Sequence, residues 1–379
     1  MKVLIIKTSS MGDLIHLLPA LTDAGKALPL IRFDWVVEKA FAEIPSWHPY
    51  VGRVIPITLR HWLRRPWSVL RSHEWRDFYR QLRAERYDYV IDAQGLVKSA
   101  ILTRLARGLL CGLDWRSARE SLASLAYQKH FKVVFEQHAV IRMRQLLSLV
   151  LGYATPTEMP DYGLVDNRFI SQLPDMQPEP SPGHSFSSLG ATPLHYLLFI
   201  HGSSGRKKLW PEADWVALAK IANAAGYPVY LPWGNKEEQQ RATRIAAQAQ
   251  QTYVLPKLSL SQIAAVLVKA KGVVAVDTGL GHLAAALSVP TVSLYNATDP
   301  SQIGTVGKNQ KHLVHAQLTS LKGAMLQMKT QLASGDASGC YELPTGISPA
   351  FQNFKQIYCN AITPQRIWQT LTTLWSEEG

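Results

Sequence analysis

The amino-acid sequence predicts an α/β protein with two domains, each built on a parallel β-sheet. The chain has 379 residues, which suits two domains of ordinary size. In both halves, short apolar runs alternate with segments of helical periodicity, a pattern typical of parallel sheets covered by helices. A proline-rich stretch between the halves predicts a linker at residues 166–194. We therefore expect domains at 1–165 and 195–360, and a terminal helix within 361–379.

The first domain opens with a predicted strand, Lys2–Lys7, and a turn that ends at Asp13. The turn has a single glycine and lacks Gly-x-Gly-x-x-Gly, so a nicotinamide or flavin cofactor is not expected here. Asp13 lies at the carboxyl end of the strand, where open α/β sheets collect active-site residues. A carboxylate there can be a general base or a helix cap, and both remain open. Further strands are predicted at Ile31–Val37, Arg53–Thr58 and Tyr89–Asp92. Helices are predicted at Leu14–Leu28, from after Ser99 to about Arg107, and at 139–151.

Residues 59–87 mix arginine with tryptophan. They hold eight arginines against three acidic residues, and three tryptophans lie among them. The mixture suits a surface that touches lipid headgroups, because indoles favour the membrane interface and arginines favour anionic lipid. After Ser72 we favour a solvated helix whose tryptophan faces the core. Residues 60–71 favour contact with an acidic partner.

The second domain opens with a predicted strand, Tyr196–Ile200, followed by the polar loop His201–Lys208. The hydroxyl groups of Ser203 and Ser204 can donate to phosphate oxygens, and Lys208 can neutralise a leaving diphosphate. The loop lacks the P-loop pattern, and a basic surface loop is the alternative interpretation. Further along, a strand is predicted at Pro228–Leu231, and helices at Ser259–Lys271 (capped by Ser259) and Pro364–Trp375.

A strand–turn–helix unit follows at residues 272–295. Val273–Val276 is typical of a buried strand, Asp277 begins a glycine-rich turn, and His282 begins a helical run. In such units ligands lie beyond the carboxyl ends of the strands, and the free N–H groups of the helix favour phosphate. Asp277 and His282 would then supply side chains beside an anion site. The alternative is an ordinary turn with Asp277 as the helix cap.

The charge distribution narrows the choice of partners. The formal net charge is +12, and residues 1–165 hold most of the excess, with 23 Lys and Arg against 15 Asp and Glu. A basic surface attracts nucleic acid, an anionic membrane or an acidic substrate. No apolar run approaches the roughly 20 residues that span a bilayer, and the first residues are too soon interrupted for a signal peptide.

Cysteine, histidine and acidic residues give no sign of a metal site. Cys111, Cys340 and Cys359 are widely spaced, which predicts reduced thiols in a cytoplasmic protein. Asp-x-Asp, which could hold a metal on a nucleotide diphosphate, is absent. Four histidines lack metal-ligand spacing and are interpreted as structural or solvated: His16, His61, His138 and His195.

Several strings of residues, taken together, resemble the lipopolysaccharide heptosyltransferase I enzymes of glycosyltransferase family 9. The resemblance runs from residue 1 to about 313. Long shared strings are far more specific than any single short pattern. The strings are Lys7–Asp13, Pro19–Asp23, Phe33–Glu38, Ile44–Trp47, Val90–Ser99, Leu231–Gly234 and Val276–Leu280.

The resemblance implies a GT-B fold, in which two Rossmann-like domains face each other across a cleft. It also implies inverting transfer of L-glycero-D-manno-heptose from ADP-heptose to the inner Kdo of Kdo-lipid A. In that scheme Asp13 takes the proton from the acceptor hydroxyl, and Ser203, Ser204 and Lys208 hold the diphosphate. No metal ion or other cofactor is implied, so Lys208 would also serve in catalysis.

The resemblance assigns further residues to the two substrates. Glu238 would contact the ribose, Leu258 the nucleobase and Asp277 the heptose. Thr278, Gly279 and His282 would complete the donor pocket. The basic first domain suits an acceptor with phosphates and carboxylates, and the candidate contacts are Arg60, Arg64, Lys98 and Arg119. The helix within 361–379 would pack back on the first domain, and the enzyme would lie on the cytoplasmic face of the inner membrane of a Gram-negative bacterium.

Three departures from the family pattern stand out. Residues 202–204 are Gly-Ser-Ser where Ala-Thr-Thr is expected, but the hydroxyl groups remain. Residues 295–300 differ from the usual Gly-Pro-Thr, which could alter the rim of the pocket. Residues 318–360 have no recognised counterpart.

Other functions compete with this one. A related family 9 enzyme that adds a later heptose or a similar sugar is the nearest. A nucleic-acid-binding protein would suit the basic charge, but the alternating α/β pattern and the strand-end phosphate sites argue against it. A non-catalytic membrane scaffold has no need for Asp13, Lys208 and Asp277 at strand ends.

Overall fold

The computed structural model describes residues 1–64, 72–165, 167–174, 195–315, 340–344 and 355–377. The chain divides into two compact units, Met1–Leu164 and Val165–Gly379. Most of the predicted linker, 166–194, lies outside the described residues, as does most of 318–360.

The first unit is built on a six-stranded parallel sheet. Its strands are β1 (Lys2–Ile6), β2 (Arg32–Glu38), β3 (Val51–Ile57), β4 (Tyr89–Asp92), β5 (Leu109–Leu113) and β6 (Lys129–Phe131). They lie in the order β3-β2-β1-β4-β5-β6. The order reverses between β1 and β4, so the turns after these two strands diverge and leave a crevice, the usual ligand position in open α/β sheets.

The helices of the first unit follow the sequence prediction with one change. They are α1 (Met11–Ile15), α2 (Leu18–Ala27), α3 (Glu43–Ser46), α4 (Leu59–Arg64), α5 (His73–Arg83), α6 (Val97–Leu105) and α7 (Ala139–Leu151). The helix predicted at Leu14–Leu28 is two helices, and Pro19 lies in the first turn of the second, where its missing N–H costs nothing. Gly152 ends α7 in the left-handed conformation, with φ of 79°.

Two of the three tryptophans of residues 59–87 are described, and they pack inward instead of forming a lipid-facing surface; Trp67 and most of the predicted contact region 60–71 lie outside the described residues. Trp62 is buried and packs edge-on against Trp75 and Phe78, with ring centroids 5.4 Å apart in each case. These rings join the core between the sheet and α5. As predicted for the part after Ser72, α5 is a surface helix, and the Ser72 hydroxyl caps it by accepting from the Trp75 N–H.

The second unit is built on an eight-stranded sheet. Its strands are β7 (Leu197–Ile200), β8 (Val229–Leu231), β9 (Thr252–Val254), β10 (Gly272–Val276), β11 (Thr291–Tyr295), β12 (Gln310–His315), β13 (Cys340–Pro344) and β14 (Lys355–Cys359). They lie in the order β13-β14-β12-β11-β10-β7-β8-β9, and among the described strand pairs of this sheet the β13–β14 pair is antiparallel and the others are parallel. Here the order of the parallel strands reverses between β7 and β10.

The helices of this unit are α8 (Asn167–Ile170), α9 (Glu212–Ala224), α10 (Lys236–Ala246), α11 (Leu260–Lys269), α12 (Gly279–Ala286), α13 (Pro300–Ile303) and α14 (Pro364–Ser376). The predicted cap is confirmed, because Ser259 accepts from the Gln262 N–H at the start of α11. Within the second unit α14 packs against α9, and the Trp375 and Tyr227 rings are tilted by 41° with centroids 5.2 Å apart. That this helix also packs on the first domain, as the resemblance implies, stays a prediction.

The cysteine prediction holds for one residue and fails for another. Cys111 is buried and free. Cys359 is disulfide-bonded, and the register of β13 on β14 sets it directly opposite Cys340. The wide sequence spacing hid this neighbourhood, because the two residues meet only when two strands pair. Within the described ranges, no helix has the length and apolar character needed to cross a bilayer.

Candidate active site

A pocket opens in the first unit where the strand order reverses. The register places Ile6 of β1 beside Asp92 of β4, so the turns that follow the two strands are neighbours. The turns are also bonded together, because the Gln94 side-chain oxygen accepts from the Thr8 N–H at 2.8 Å and from the Thr8 hydroxyl at 2.9 Å. The pocket is lined by Lys7, Ser9, Asp13, His16, Ala93, Gln94, Leu113, Arg119, Ala139, Arg142 and Met143.

Asp13 lies in this pocket, in the first turn of α1. Its Oδ2 accepts from the Ser10 N–H and the Ser10 hydroxyl, both at 2.9 Å, so the residue serves as a capping partner as well as a pocket wall. Burial opposes ionisation of Asp13, but the Lys7 charge and the Ser10 hydrogen bonds outweigh it and lower its pKa. A carboxylate that is ionised at neutral pH can accept a proton, as a general base must.

Lys7 is the buried charge that keeps Asp13 ionised. Its Nζ donates to the Ala93 carbonyl at 2.8 Å and lies 3.7 Å from the Met143 sulfur. Burial lowers the pKa of Lys7, against the opposing pull of Asp13 and Asp92. The sequence analysis did not single out Lys7, because a lysine that ends a predicted strand is usually exposed to solvent.

Two arginines add positive charge to the pocket beside Lys7. Arg119, a predicted acceptor residue, lines the pocket, and so does Arg142, which the sequence analysis missed. Arg142 Nη2 donates to the Ser117 carbonyl at 2.8 Å, and its guanidinium lies 4.5 Å from the centre of the Phe135 ring. Arg142 belongs to α7, and the apolar pattern of this helix predicts its core-facing side but not which of its polar residues lines a pocket.

Among the described side chains, no other predicted acceptor residue is found in the lining of this pocket. Lys98 is half-buried in the first turn of α6 and is not among the residues that line the pocket. The side chains of Arg60 and Arg64 lie outside the described residues. His16, interpreted from sequence as structural or solvated, is buried and faces the pocket.

A second cluster lies at the equivalent point of the second unit. The register places Ile200 at the end of β7 beside Ala275 of β10. Lys208 Nζ is 2.7 Å from Asp277 Oδ2, and the Ser203 hydroxyl donates to the Asp277 carbonyl at 2.9 Å. The loop after β7 and the turn after β10 are therefore in direct contact. Ser204 is exposed on the same loop.

The turn after β10 leads into α12. The N-cap residue of α12 is Thr278, so the alternative of Asp277 as the cap is wrong. The Thr278 side chain makes no capping hydrogen bond. Gly279 is the first helical residue, and His282 is buried within the helix. A Cβ on Gly281 would lie 3.3 Å from the Ala275 Cβ, which shows how closely the helix approaches β10. The free N–H groups at this end favour an anion.

Glu238 and its neighbours form the outer part of this cluster. Glu238 Oε2 accepts from the Gly234 N–H at 2.6 Å, and a Cβ on Gly202 would lie 2.7 Å from the Glu238 Cδ. Lys257 lies over the Trp233 ring, 4.8 Å from its centre. Leu258 is half-buried and follows directly in the chain. A carboxylate beside an aromatic and apolar edge suits a ribose and its base.

The rim at residues 295–300 is tied to the first loop. Asn296 Nδ2 donates to the Leu209 carbonyl at 3.3 Å, just after Lys208. Across the described ranges, no three His, Cys, Asp or Glu side chains are placed to hold a metal ion.

Known proteins match this chain in parts of both units. The model of "Glycosyltransferase family 9 (heptosyltransferase)" matches residues 75–330. This chain belongs to glycosyltransferase family 9. It is 51% identical over 314 residues to lipopolysaccharide heptosyltransferase 1 of Pseudomonas aeruginosa, covering 83% of each chain. It is 48% identical over 311 residues to the enzyme of the same name from Escherichia coli K12, covering 82% of this chain and 92% of that one.

Solved structures of the family agree with the fold. The structure of E. coli heptosyltransferase WaaC with ADP has a TM-score of 0.75 and 44% identity, covering 88% of this chain and 99% of that one. A second, with ADP-2-deoxy-2-fluoro heptose, has a TM-score of 0.72 at the same identity. The predicted α/β fold of two Rossmann-like domains, the GT-B type, is thereby confirmed, and the chain is a glycosyltransferase.

Proposed function

We propose that this family 9 enzyme transfers L-glycero-D-manno-heptose from ADP-heptose to the inner Kdo of Kdo-lipid A, with inversion at the anomeric carbon. The observation that carries the proposal is the ionised Asp13 in a pocket lined by Arg119 and Arg142. A base beside two cations suits the hydroxyl group of an anionic sugar. The relatives named above, at 48% and 51% identity, are heptosyltransferases of lipopolysaccharide.

The first unit would activate the acceptor. Asp13 removes the proton from the acceptor hydroxyl as the oxygen attacks the anomeric carbon of the donor. The bond from that carbon to the diphosphate oxygen breaks, and ADP leaves with the bonding electrons. Arg119 and Arg142 would hold the carboxylate of the acceptor, since guanidinium groups match its two oxygens.

The second unit would bind the donor. Lys208, Ser203, Ser204 and the N-terminus of α12 supply charge and N–H or O–H donors for the diphosphate, and Asp277 would contact the heptose. Because Lys208 Nζ carries three protons and uses one toward Asp277 at 2.7 Å, it can also reach a phosphate oxygen. Glu238 and Leu258 would hold the ribose and base, with Thr278, Gly279 and His282 completing the pocket.

The reaction would need no metal ion. The charge that develops on the leaving diphosphate would be balanced by Lys208 and by helix N–H groups, as in other preorganised sites. We place the enzyme on the cytoplasmic face of the inner membrane, because Kdo-lipid A is anchored there by its lipid chains and the first unit is the more basic one.

Heptose transfer to purified Kdo-lipid A in the presence of EDTA tests this proposal. We expect product from the wild type and a loss of kcat of at least about 100-fold in Asp13→Ala, because the general base is gone. Asp77→Ala, an exposed aspartate on α5, is the matched control and should keep full activity.

Two outcomes would contradict parts of the proposal. Equal rates for wild type and Asp13→Ala would remove Asp13 from the role of base. Transfer only to an acceptor that already carries an inner heptose would favour a later step of core synthesis. Heptosyltransferase 2 of E. coli K12, at 25% identity, is the more distant relative, so we expect the first step.

A further inference from the structure

The first unit carries an exposed apolar surface that neither substrate pocket uses. Its members are Ile101, Trp115, Leu122, Leu125, Val134 and Phe135, and we call it the apolar–basic surface. The exposed fractions are 58% for Ile101, 61% for Leu122 and 74% for Leu125. Single exposed apolar side chains are common, but several on adjoining elements mark a contact surface.

Leu122 and Leu125 are presented on one side of a short 3-10 helix, Ser121–Ala126. With three residues per turn, positions three apart lie on the same face. The opposite side is buried, because Ala123 packs with Ala100 of α6 in a small apolar cluster. The two leucines therefore project from an element that is fixed to the domain.

α6 contributes the next part of the surface. Ile101 and Arg104 are exposed on this helix, whereas Leu102 and Thr103 between them are buried. The N-terminus of α6 is bonded to the 3-10 helix, because the Val97 N–H donates to Glu120 Oε2 at 2.7 Å. Ile101 and the leucines thus lie on neighbouring, connected elements.

The remaining members border the Asp13 pocket. Trp115 lies just before Ser117, whose hydroxyl accepts from the Val133 N–H at 2.9 Å and whose carbonyl accepts from Arg142 at 2.8 Å. Phe135 lies under the same Arg142 guanidinium. Because Arg142 also lines the pocket, the apolar–basic surface and the pocket share a wall.

Positive charge accompanies these apolar side chains. Residues 95–136 hold seven Lys and Arg against three Asp and Glu. Two of the acids are engaged locally, since Glu120 bonds the Val97 N–H and Asp114 accepts from the Ser117 N–H at 2.8 Å. The exposed bases of the stretch are Arg104, Arg107, Arg116, Arg119, Lys129 and Lys132.

We propose that the apolar–basic surface docks on an anionic phospholipid bilayer and holds the mouth of the Asp13 pocket beside the membrane. Apolar side chains that enter the interface, with lysine and arginine around them, are the two contributions that bind peripheral proteins to anionic lipid. The inference rests on the proposed function, which supplies an acceptor with lipid chains. It also places the lipid contact away from the described part of residues 59–87, where Trp62 is buried.

Vesicle flotation of the full chain tests the docking. The variant is Leu122→Gln with Leu125→Gln, and the matched control is Leu30→Gln, another exposed leucine, between α2 and β2. With vesicles of phosphatidylcholine and phosphatidylglycerol, we expect the double variant to bind at least about tenfold more weakly, because two apolar side chains no longer enter the bilayer. The control should bind like wild type, and vesicles of phosphatidylcholine alone should bind every chain weakly.

Three results would overturn the proposal: equal vesicle binding by the double variant and wild type, no binding of wild type to anionic vesicles, or a wild-type dimer that the double variant abolishes. The last would assign the surface to a second copy of the chain. Transfer to a deacylated, water-soluble acceptor is measured in parallel and should be unchanged in the double variant. If even wild type gives no such transfer, the proposed function fails, while the vesicle result is still decided by the flotation alone.

Discussion

At the scale of single residues, the pocket of the first unit depends on a buried lysine. Lys7 is enclosed by the Ala93 carbonyl and the Met143 sulfur, and its charge helps to lower the pKa of Asp13. Burying an ammonium group lowers the stability of the fold. Its position beside the Asp13 carboxylate, which must stay ionised to act as a base, indicates a functional role for Lys7. We interpret Lys7 as a positioning residue, because it acts through Asp13.

Lys7→Met should shift the acid limb of the pH profile of kcat/KM to higher pH. Burial raises the pKa of Asp13, and Lys7 is the largest effect that opposes it, so removing the charge lets the pKa rise. The measurement is kcat/KM from about pH 4 to 9, and Lys39→Met, an exposed lysine, is the control. A profile for Lys7→Met that overlays the wild type would show that Lys7 does not set the ionisation of Asp13.

Site residues were predictable from sequence where a polar residue follows a strand. Asp277 directly follows β10, whereas Asp13 and Lys208 lie a few residues beyond the ends of β1 and β7, and the structure brings Lys208 and Asp277 within 2.7 Å of each other. Lys7 and Arg142 were missed because Lys7 is the last residue of a predicted strand and Arg142 lies within a helix pattern. Their side chains reach the pocket only through contacts between elements that are distant in sequence.

At the scale of elements, α2 and α7 are joined by a buried ion pair. Arg144 donates to Asp23 from Nε at 2.6 Å and from Nη2 at 3.1 Å. Both side chains are almost wholly buried, at 4% and 7% exposed. A second pair, Lys26 with Asp161, is as short at 2.7 Å but is exposed. The first pair is buried and joined by two hydrogen bonds, and the second is exposed and joined by one.

Asp23→Ala should lower the free energy of unfolding by about 3–5 kcal/mol, because it leaves the Arg144 charge buried without its partner. Asp161→Ala, the control, should cost less than about 1 kcal/mol, because water screens an exposed pair. Urea unfolding followed by circular dichroism gives both values. Similar losses for the two variants would show that burial does not decide the strength of these pairs.

Element prediction failed where tertiary contacts decided the outcome. The apolar spacing of Leu14–Leu28 suits one helix, yet the chain breaks before Leu18 and begins again with Pro19 in the first turn. The tryptophans of 59–87 suited a lipid surface by composition alone. Trp62 is instead buried, since its ring fits against Trp75 and Phe78. Composition cannot report which face of a helix the core will cover.

At the scale of the whole molecule, burial affects the titration of two histidines in the second unit. Burial lowers the pKa of both His201 and His312 to about 4, from an ordinary value of 6.5. The unfolded chain therefore takes up protons between these pH values while the folded chain does not. Their contribution is complete above pH 6.5 and is lost progressively as the pH falls toward 4.

The free energy of unfolding should fall by about 2 kcal/mol per histidine between about pH 7 and pH 5, in addition to any effect of carboxyl groups. His312→Gln should reduce this pH dependence by one proton, whereas His61→Gln, an exposed histidine on α4, should leave it unchanged. Urea midpoints measured across the pH range check both. An unaltered pH dependence in His312→Gln would mean that the buried imidazole takes up its proton in the folded state.

Each strand-order reversal holds its own half of the proposed chemistry within one unit. The turns after β1 and β4 bond to each other through Gln94, and those after β7 and β10 bond through Ser203 and Lys208. The first set of bonds lies wholly before residue 165, and the second set lies wholly after it. A gene recombined near the codon for residue 165 would therefore keep one complete substrate site. New pairs of donor and acceptor could then arise by exchange of gene segments rather than by gradual substitution.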